Sequence, residues 1–297
     1  MKKMFIRSGV FAILLLAVPV RGIGTTFLNV PFTPRQLVIG SAALLGDPSL
    51  FRLNPALVVQ DHAATQVYFG YNGWLADAAG HSVMAVQPLM GGTIAVGLRS
   101  LSIDGLELRT SRPTDEPVAN FISSGTAVEA GWGKRSGFLQ WGGTVRWLRM
   151  ESYVYASSGL AFDAGTTASL MHGRLSIGAA LRNVGSMNTF REAAPTLPTS
   201  VSGGIVFRPL QVASYMGLLT SASADFSERN GTIVRFSAEA SVGDLSVSAG
   251  MSTAEEVSSV SAGVEFRARI LTISYSFELA SHNLGMPHLI QIQFTLP

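Results

Sequence analysis

Charged residues are few in this chain, and several of them fall inside otherwise apolar, alternating segments. Only 13% of the 297 residues are charged. Seven charges lie on the polar side of such segments, namely Arg99, Glu129, Arg146, Arg182, Arg235, Glu239 and Glu265. Because both signs occur among them, the chemistry they indicate is mutual neutralisation by ion pairs in a shielded place, with a substrate-binding site as the alternative.

Residue types used by enzymes are present, but without the spacing that catalysis needs. The sequence contains no G-x-S-x-G, H-E-x-x-H or P-loop motif and no cysteine. The sequence therefore lacks the usual motifs of hydrolases, zinc enzymes and nucleotide-binding proteins. The histidines are isolated from other ligand types and from one another: His62, His81, His172, His282 and His288. We therefore predict a non-enzymatic protein with no catalytic residue, no metal site and no cofactor.

One enzymatic alternative stays open. A phospholipase embedded in a membrane would place Ser and His side chains on neighbouring strands that face lipid. The stretches GHS (80–82) and SHN (281–283) are the only hints of such a pair.

The first 22 residues have the composition of a secretory signal peptide. A basic start is followed by an apolar run from Val10 to Val18, and cleavage is expected after Gly22 or shortly beyond. The alternative is a membrane anchor, but this run is short of about 20 residues and is interrupted by Pro19. No second apolar run of that length follows, so the mature chain is not predicted to be a helical membrane protein.

Most of the remaining sequence alternates with a period of two. In residues 138–150, Leu139, Trp141 and Trp147 share one face while Thr144 and Arg146 share the other, as in a β-strand with one apolar side. About fourteen such segments follow residue 63, many of them of the length with which a tilted strand crosses a bilayer. Longer and shorter connections alternate, which is typical of outer-membrane barrels. The longest are 103–121 and 185–198.

The alternative to a membrane barrel is an exported soluble sandwich or lipocalin-like barrel, which alternates in the same way. Two features favour the membrane. The polar faces consist mainly of Ser, Gly, Ala and Thr instead of Lys and Glu, and the mean hydropathy is +0.33. We therefore predict an all-β fold, in which residues 63–297 form a transmembrane antiparallel β-barrel of the outer membrane, in contact with lipid. A net charge of +2 argues against nucleic-acid binding.

Residues 46–59, GDPSLFRLNPALVV, do not fit this rhythm. They contain two prolines and follow neither a strand nor a helix period. The wider stretch 25–58 resembles the opening of the PorV/PorQ family of outer-membrane proteins, relatives of FadL-type barrels. The matching positions are Phe27, Leu28, Pro31, Arg35, Gly40, Ala42, Asp47, Pro48, Asn54, Pro55, Ala56 and Leu57. The likeness continues in LRNVG (181–185) and in the last hairpin (275–294).

This resemblance implies a structure for the irregular segment and a function for the chain. Residues 23–62 would fold into the barrel as a plug, with Asp47, Pro48, Asn54, Pro55 and Ala56 as its motif. Asp47 and Asn54 would then hydrogen-bond to barrel groups. The alternative is a periplasmic arm. The family implies a role in type IX protein secretion or surface attachment, through outer loops that engage exported proteins. A FadL-like channel for hydrophobic small molecules is the second possibility.

Overall fold

The computed structural model describes residues 24–60, 64–109, 115–212, 215–228, 231–254, 257–281 and 285–296. The predicted signal peptide, His62 and His282 lie outside these ranges.

Fourteen antiparallel strands form one closed barrel, as predicted. The strands are β1 (Thr65–Gly73), β2 (Ala79–Leu89), β3 (Gly92–Leu108), β4 (Ala119–Ser136), β5 (Leu139–Ser152), β6 (Tyr155–Leu170), β7 (Leu175–Met187), β8 (Ser200–Val212), β9 (Met216–Ser227), β10 (Gly231–Val242), β11 (Leu245–Thr253), β12 (Ser258–Ala268), β13 (Leu271–Ala280) and β14 (His288–Leu296). Each pairs with its neighbours in sequence, and β1 pairs with β14 from Thr65↔Leu296 to Gly73↔His288. Closure leaves no free sheet edge around the wall.

The two faces of the wall differ in polarity because side chains alternate along each strand. In β5, Leu139, Trp141 and Trp147 are exposed on the outside, whereas Thr144 and Arg146 are buried on the inside. An apolar outer surface with a polar interior is the arrangement expected of a barrel whose surroundings are lipid. Among the described residues, no helix is both long and apolar enough to cross a bilayer.

The two ends of the barrel differ in their connections. At one end, called here the short-connection end, strands are joined by tight turns such as Met90–Gly91, where both residues have positive φ (55° and 67°). Such φ values match the twist of a two-residue hairpin. The other end, the long-connection end, carries the longer links, including the one between β7 and β8.

One predicted loop is largely strand. The loop predicted over 103–121 is shorter, because β3 continues to Leu108 and β4 already begins at Ala119. Pairing with β2 stops at Ser102 and pairing with β5 stops at Ser123. Residues 103–108 and 119–122 therefore form a two-stranded extension beyond the rim, called here the β3–β4 ribbon.

Residues 24–60, called here the N-terminal segment, contain one short helix and three single 3-10 turns. The helix α1 spans Pro34–Val38, and the turns span Gly24–Asn29, Pro48–Leu50 and Pro55–Val58. Two more 3-10 turns lie in connections, at Leu75–Asp77 and Met171–Gly173.

Three of the four elements in the N-terminal segment begin in the same way. Thr33, Asp47 and Asn54 each cap a first turn with the side-chain oxygen, and each is followed by proline. A cap satisfies an N–H that has no helical partner, and proline at the next position already has the required φ. The prolines that excluded a strand therefore start short turns.

The main apolar core lies inside the barrel and is built largely by the N-terminal segment. Phe27, Phe32, Leu50, Phe51 and Leu57 are at most 1% exposed. They pack against small or apolar inward residues of the strands, in three buried clusters. An irregular segment this apolar is shielded from water only because the wall surrounds it.

Candidate functional site

The inner charges converge on one carboxylate. Glu129 on β4 is 2% exposed, and Arg146 lies directly opposite it on β5. Arg146 Nε is 3.2 Å from Glu129 Oε2, and Arg99 Nε on β3 is 3.8 Å from the same oxygen. Arg52 of the N-terminal segment binds Glu129 Oε1 through its Nε. A single anion thus joins three strands to the N-terminal segment, in a place without bulk water.

A β-bulge extends this cluster towards β7. Pairing passes from Phe162↔Val184 to Ala164↔Leu181, so Asp163 faces both Arg182 and Asn183. Asn183 has a φ of 58°, which Asn tolerates better than most residues. Its N–H donates to Asp163 Oδ1 (2.7 Å), and its side-chain Oδ1 accepts from Arg146 Nη1 (2.7 Å). Consecutive residues Arg182 and Asn183 are therefore both buried.

A second cluster lies on the other side of the barrel. Arg182 Nη2 is 2.7 Å from Asp225 Oδ1 on β9, and Arg235 on β10 binds the other oxygen of Asp225. Arg35 of α1 bridges Asp47 (3.1 Å) and Glu239 on β10 (2.8 Å). Burial lowers the pKa of the Arg35 guanidinium, but the nearby charges of Glu239, Asp47 and Glu265 together outweigh burial and hold that pKa above its usual value.

The seven charges singled out in the sequence all lie on the inner face. Six join the clusters just described, while Glu265 binds Arg267 and accepts from Ser274 Oγ (3.2 Å). Sequence reasoning missed the partners Arg52, Asp163 and Asp225. The alternation in β6 and β9 gives a signal for the two aspartates, since each is next to an outward phenylalanine, Phe162 or Phe226.

The motif around Asn54 contacts the wall closely. Asn54 Nδ2 donates to the carbonyls of Thr166 on β6 (3.1 Å) and Ala42 (2.7 Å). Glycines on the wall make room for it. A Cβ at Gly165 would overlap Asn54 Oδ1, and one at Gly142 would lie 2.6 Å from the Pro55 carbonyl oxygen. The N-terminal segment therefore packs here directly against the backbone of the strands.

Asp47 does not form the predicted hydrogen bond to the barrel among the described residues. Its carboxylate accepts from Ser49 N (3.0 Å) and from Arg35, both in the N-terminal segment, and it makes no described bond to the wall. Proline follows it, so the side chain is used as a cap for the turn at Pro48. Asp47 reaches the barrel only through Arg35.

A cavity of about 240 Å³ remains between the N-terminal segment and strands β7–β13. Its walls combine Arg182, Asp225 and Glu278 with apolar side chains, among them Leu37, Leu53 and Ile233. A second cavity of about 700 Å³ shares Ser200 and Ser227 with it and also touches the outward side chains Val201 and Phe226. In the described part of the chain, no three His, Cys, Asp or Glu side chains come close enough to hold a metal ion.

No protein-family model matches this chain, and no curated protein sequence matches it. Solved structures do. The toluene transporter TodX of Pseudomonas putida superposes with a TM-score of 0.58 at 12% identity, over 88% of this chain and 96% of TodX. A TodX monoaromatic hydrocarbon channel mutant, deltaS2, gives 0.54 at 12% identity, over 89% and 97%. The outer-membrane protein Omp33 of Acinetobacter baumannii gives 0.46 at 9%, over 78% and 97%. The TodX likeness shows the fold, which is a closed β-barrel of the outer-membrane type.

Proposed function

We propose that this protein is a non-enzymatic outer-membrane barrel that engages exported proteins at the cell surface, as a component associated with type IX secretion. One observation carries the proposal: the N-terminal segment lies inside the barrel and is ion-paired to opposite walls. Arg52 binds Glu129 on β4, and Arg35 binds Glu239 on β10. A lumen occupied in this way supports a role at the barrel's outer surface more than a role in conducting solutes.

The β3–β4 ribbon offers a surface for such a role. It projects past the strands on either side, and both Ile122 (56%) and the adjoining Val118 (61%) are exposed. Binding sites are often borne by extensions of a rigid scaffold. The PorV/PorQ resemblance supplies the class of partner, which is exported protein.

The ribbon can be removed without changing the wall. Ile103 pairs with Ser123, so replacing residues 104–122 with Asn-Gly leaves a two-residue hairpin on an intact register. In the source organism, this variant should lose surface display of exported proteins while keeping normal levels of folded barrel, shown by altered gel migration before and after boiling. Gly203→Ala is the control, because its Cβ would meet only a carbonyl oxygen 4.0 Å away. Normal display by the ribbon variant would contradict the proposal.

A second candidate function is a channel for hydrophobic small molecules, and the cavity favours it. The 240 Å³ space adjoins a larger cavity that touches lipid-facing side chains, and the fold is that of the toluene transporter TodX. The charged lining argues against it, since apolar ligands prefer pockets with few polar groups.

Ligand binding separates the two functions. Under the export proposal, purified protein in nanodiscs should show no saturable binding of toluene or a fatty acid. Deleting residues 24–60 should raise conductance in planar bilayers, because the lumen would open. If toluene binding saturates, and Ile233→Trp abolishes it while ribbon removal has no effect on either binding or display, the channel function replaces the export function.

A further inference from the structure

The two ends of the barrel carry opposite charge. At the short-connection end, the exposed charged side chains within the described ranges are Lys134, Arg135, Arg174, Arg267, Arg269 and Asp244. The described exposed charges of this end are therefore five cations and one carboxylate. Arg267 forms an ion pair with Glu265, and the five cations lie on three different turns around the rim.

The long-connection end shows the reverse. Its exposed charged side chains within the described ranges are Asp77, Asp104, Glu107, Asp115, Glu116, Glu151, Glu192, Glu228, Arg109, Arg149 and Arg191. Each of the three arginines is paired with a glutamate one or two residues away. Carboxylates therefore outnumber cations among the described exposed side chains of this end, whereas cations outnumber carboxylates at the short-connection end.

Large apolar side chains accompany the surplus cations. Every short turn exposes at least one: Met90, Phe138, Met171, Tyr215, Leu245 and Ile270. Three turns keep a large side chain where the backbone favours glycine, since Met90, Met171 and Arg269 have φ of 55°, 52° and 52°. An end that is both cationic and apolar at its tips is suited to an anionic, partly apolar surface.

We infer that the short-connection end binds the headgroups of anionic phospholipids in the leaflet that surrounds it. The lipid-facing band continues directly into this rim, because Lys134 is paired with outward Trp141, and Trp132 packs edge-on against Trp141. Trp and cationic side chains at the edge of an apolar band lie at headgroup level. Each Lys or Arg near an anionic membrane surface adds attraction, and short turns normally face the phospholipid leaflet.

The rim of the short-connection end is continuous with the lipid-facing band, which favours lipid over an acidic protein as its binding partner. A protein docked under the barrel would cover the mouth, whereas the exposed apolar tips ring the rim where the wall meets the bilayer. The inference holds whether the barrel serves export or conducts small molecules, since it concerns a surface that neither function uses.

The test compares lipids retained by the full-length barrel after extraction from nanodiscs of equal phosphatidylglycerol and phosphatidylethanolamine, measured by native mass spectrometry. The wild type should retain phosphatidylglycerol in excess. The variant Lys134→Gln/Arg135→Gln/Arg269→Gln should lower that enrichment at least about fivefold, since one cation near such a surface accounts for about that factor. The matched control, Arg109→Gln/Arg149→Gln/Arg191→Gln, changes three exposed arginines at the other end and should leave it unchanged.

A second measurement needs no variant. Wild-type enrichment should weaken when the nanodiscs are equilibrated in about 1 M salt, because exposed charges are then screened within about 3 Å. Equal retention of both lipids by the wild type would overturn the inference. So would an equal loss in the control variant, or an enrichment that is insensitive to salt.

Discussion

The two halves of the lumen hold the N-terminal segment by different means. On strands β3–β7 the wall presents large charged side chains, Arg99, Glu129, Arg146 and Asp163, and the turn at Pro55–Val58 packs against β3–β6. On strands β8–β13 the wall presents mostly serine together with the ion-paired Asp225, Arg235 and Glu239, and α1 packs against β11–β14. The buried serines are Ser200, Ser202, Ser221, Ser223, Ser227, Ser237, Ser246, Ser248, Ser259, Ser261, Ser274 and Ser276.

The charged half therefore fixes the position of the N-terminal segment more strictly than the serine half does. The charged half fixes one arrangement, because a buried carboxylate shared by three guanidinium groups tolerates little displacement of any partner. The ion pair of Arg35 with Glu239 in the serine half is less buried than that of Arg52 with Glu129, and the 240 Å³ cavity lies against this half, lined by Ser200, Ser227, Ser252 and Ser259. Substitutions in the charged half should therefore cost more than substitutions in the serine half.

Removal of the central charge should have the largest effect. Glu129→Gln leaves Arg52, Arg99 and Arg146 close together without their shared anion. Breaking a buried pair typically costs about 3–5 kcal/mol, and we expect a loss of that order in the free energy of unfolding, measured by denaturant titration in lipid. Glu151→Gln, which breaks the exposed pair with Arg149, should cost less than about 1 kcal/mol. Equal costs would remove the distinction between the charged cluster and a surface pair.

Close contact in the charged half should give the next largest effect. Gly165→Ala places a Cβ against Asn54 Oδ1 and is expected to cost about 1–3 kcal/mol through overpacking. Gly203→Ala, on the outward face of β8, should be nearly neutral because its Cβ would meet only a carbonyl oxygen 4.0 Å away.

Adding Asn54→Ala tests whether that contact is the cause. The double variant Gly165→Ala/Asn54→Ala should cost less than the sum of the single changes, because the clash is gone. Strict additivity would mean that the cost of Gly165→Ala arises elsewhere.

A paired serine should have a smaller effect. Ser237 and Ser221 share a hydrogen bond of 2.7 Å between their hydroxyl oxygens. Ser237→Ala should cost about 0.5–1.5 kcal/mol, the usual net value of one hydrogen bond. A cost near that of Glu129→Gln would show that the serine half positions the segment as firmly as the charged half.

The same contrast explains what the sequence could and could not predict. Strand number, the inward face of Arg146 and the lipid-facing side of Trp141 follow from a period of two, which is a local property. The partners of those charges do not. That Arg52 reaches Glu129 depends on how a segment of short turns threads the barrel, and no period describes that path. The bulge that turns Arg182 and Asn183 inward together also breaks the alternation from which strands are recognised.

An unpaired serine should have the smallest effect, and its sign is informative. Ser276 on β13 is fully buried, and its hydroxyl oxygen has no hydrogen-bond partner within the described residues. Keeping a hydroxyl in such a place costs desolvation that no bond offsets, so Ser276→Ala should be neutral or stabilising by up to about 1 kcal/mol. The same denaturant titration as for Ser237→Ala measures it. A clear destabilisation would mean that this hydroxyl is hydrogen-bonded to water in the lumen, and the serine half would then be a hydrated surface instead of a spacer.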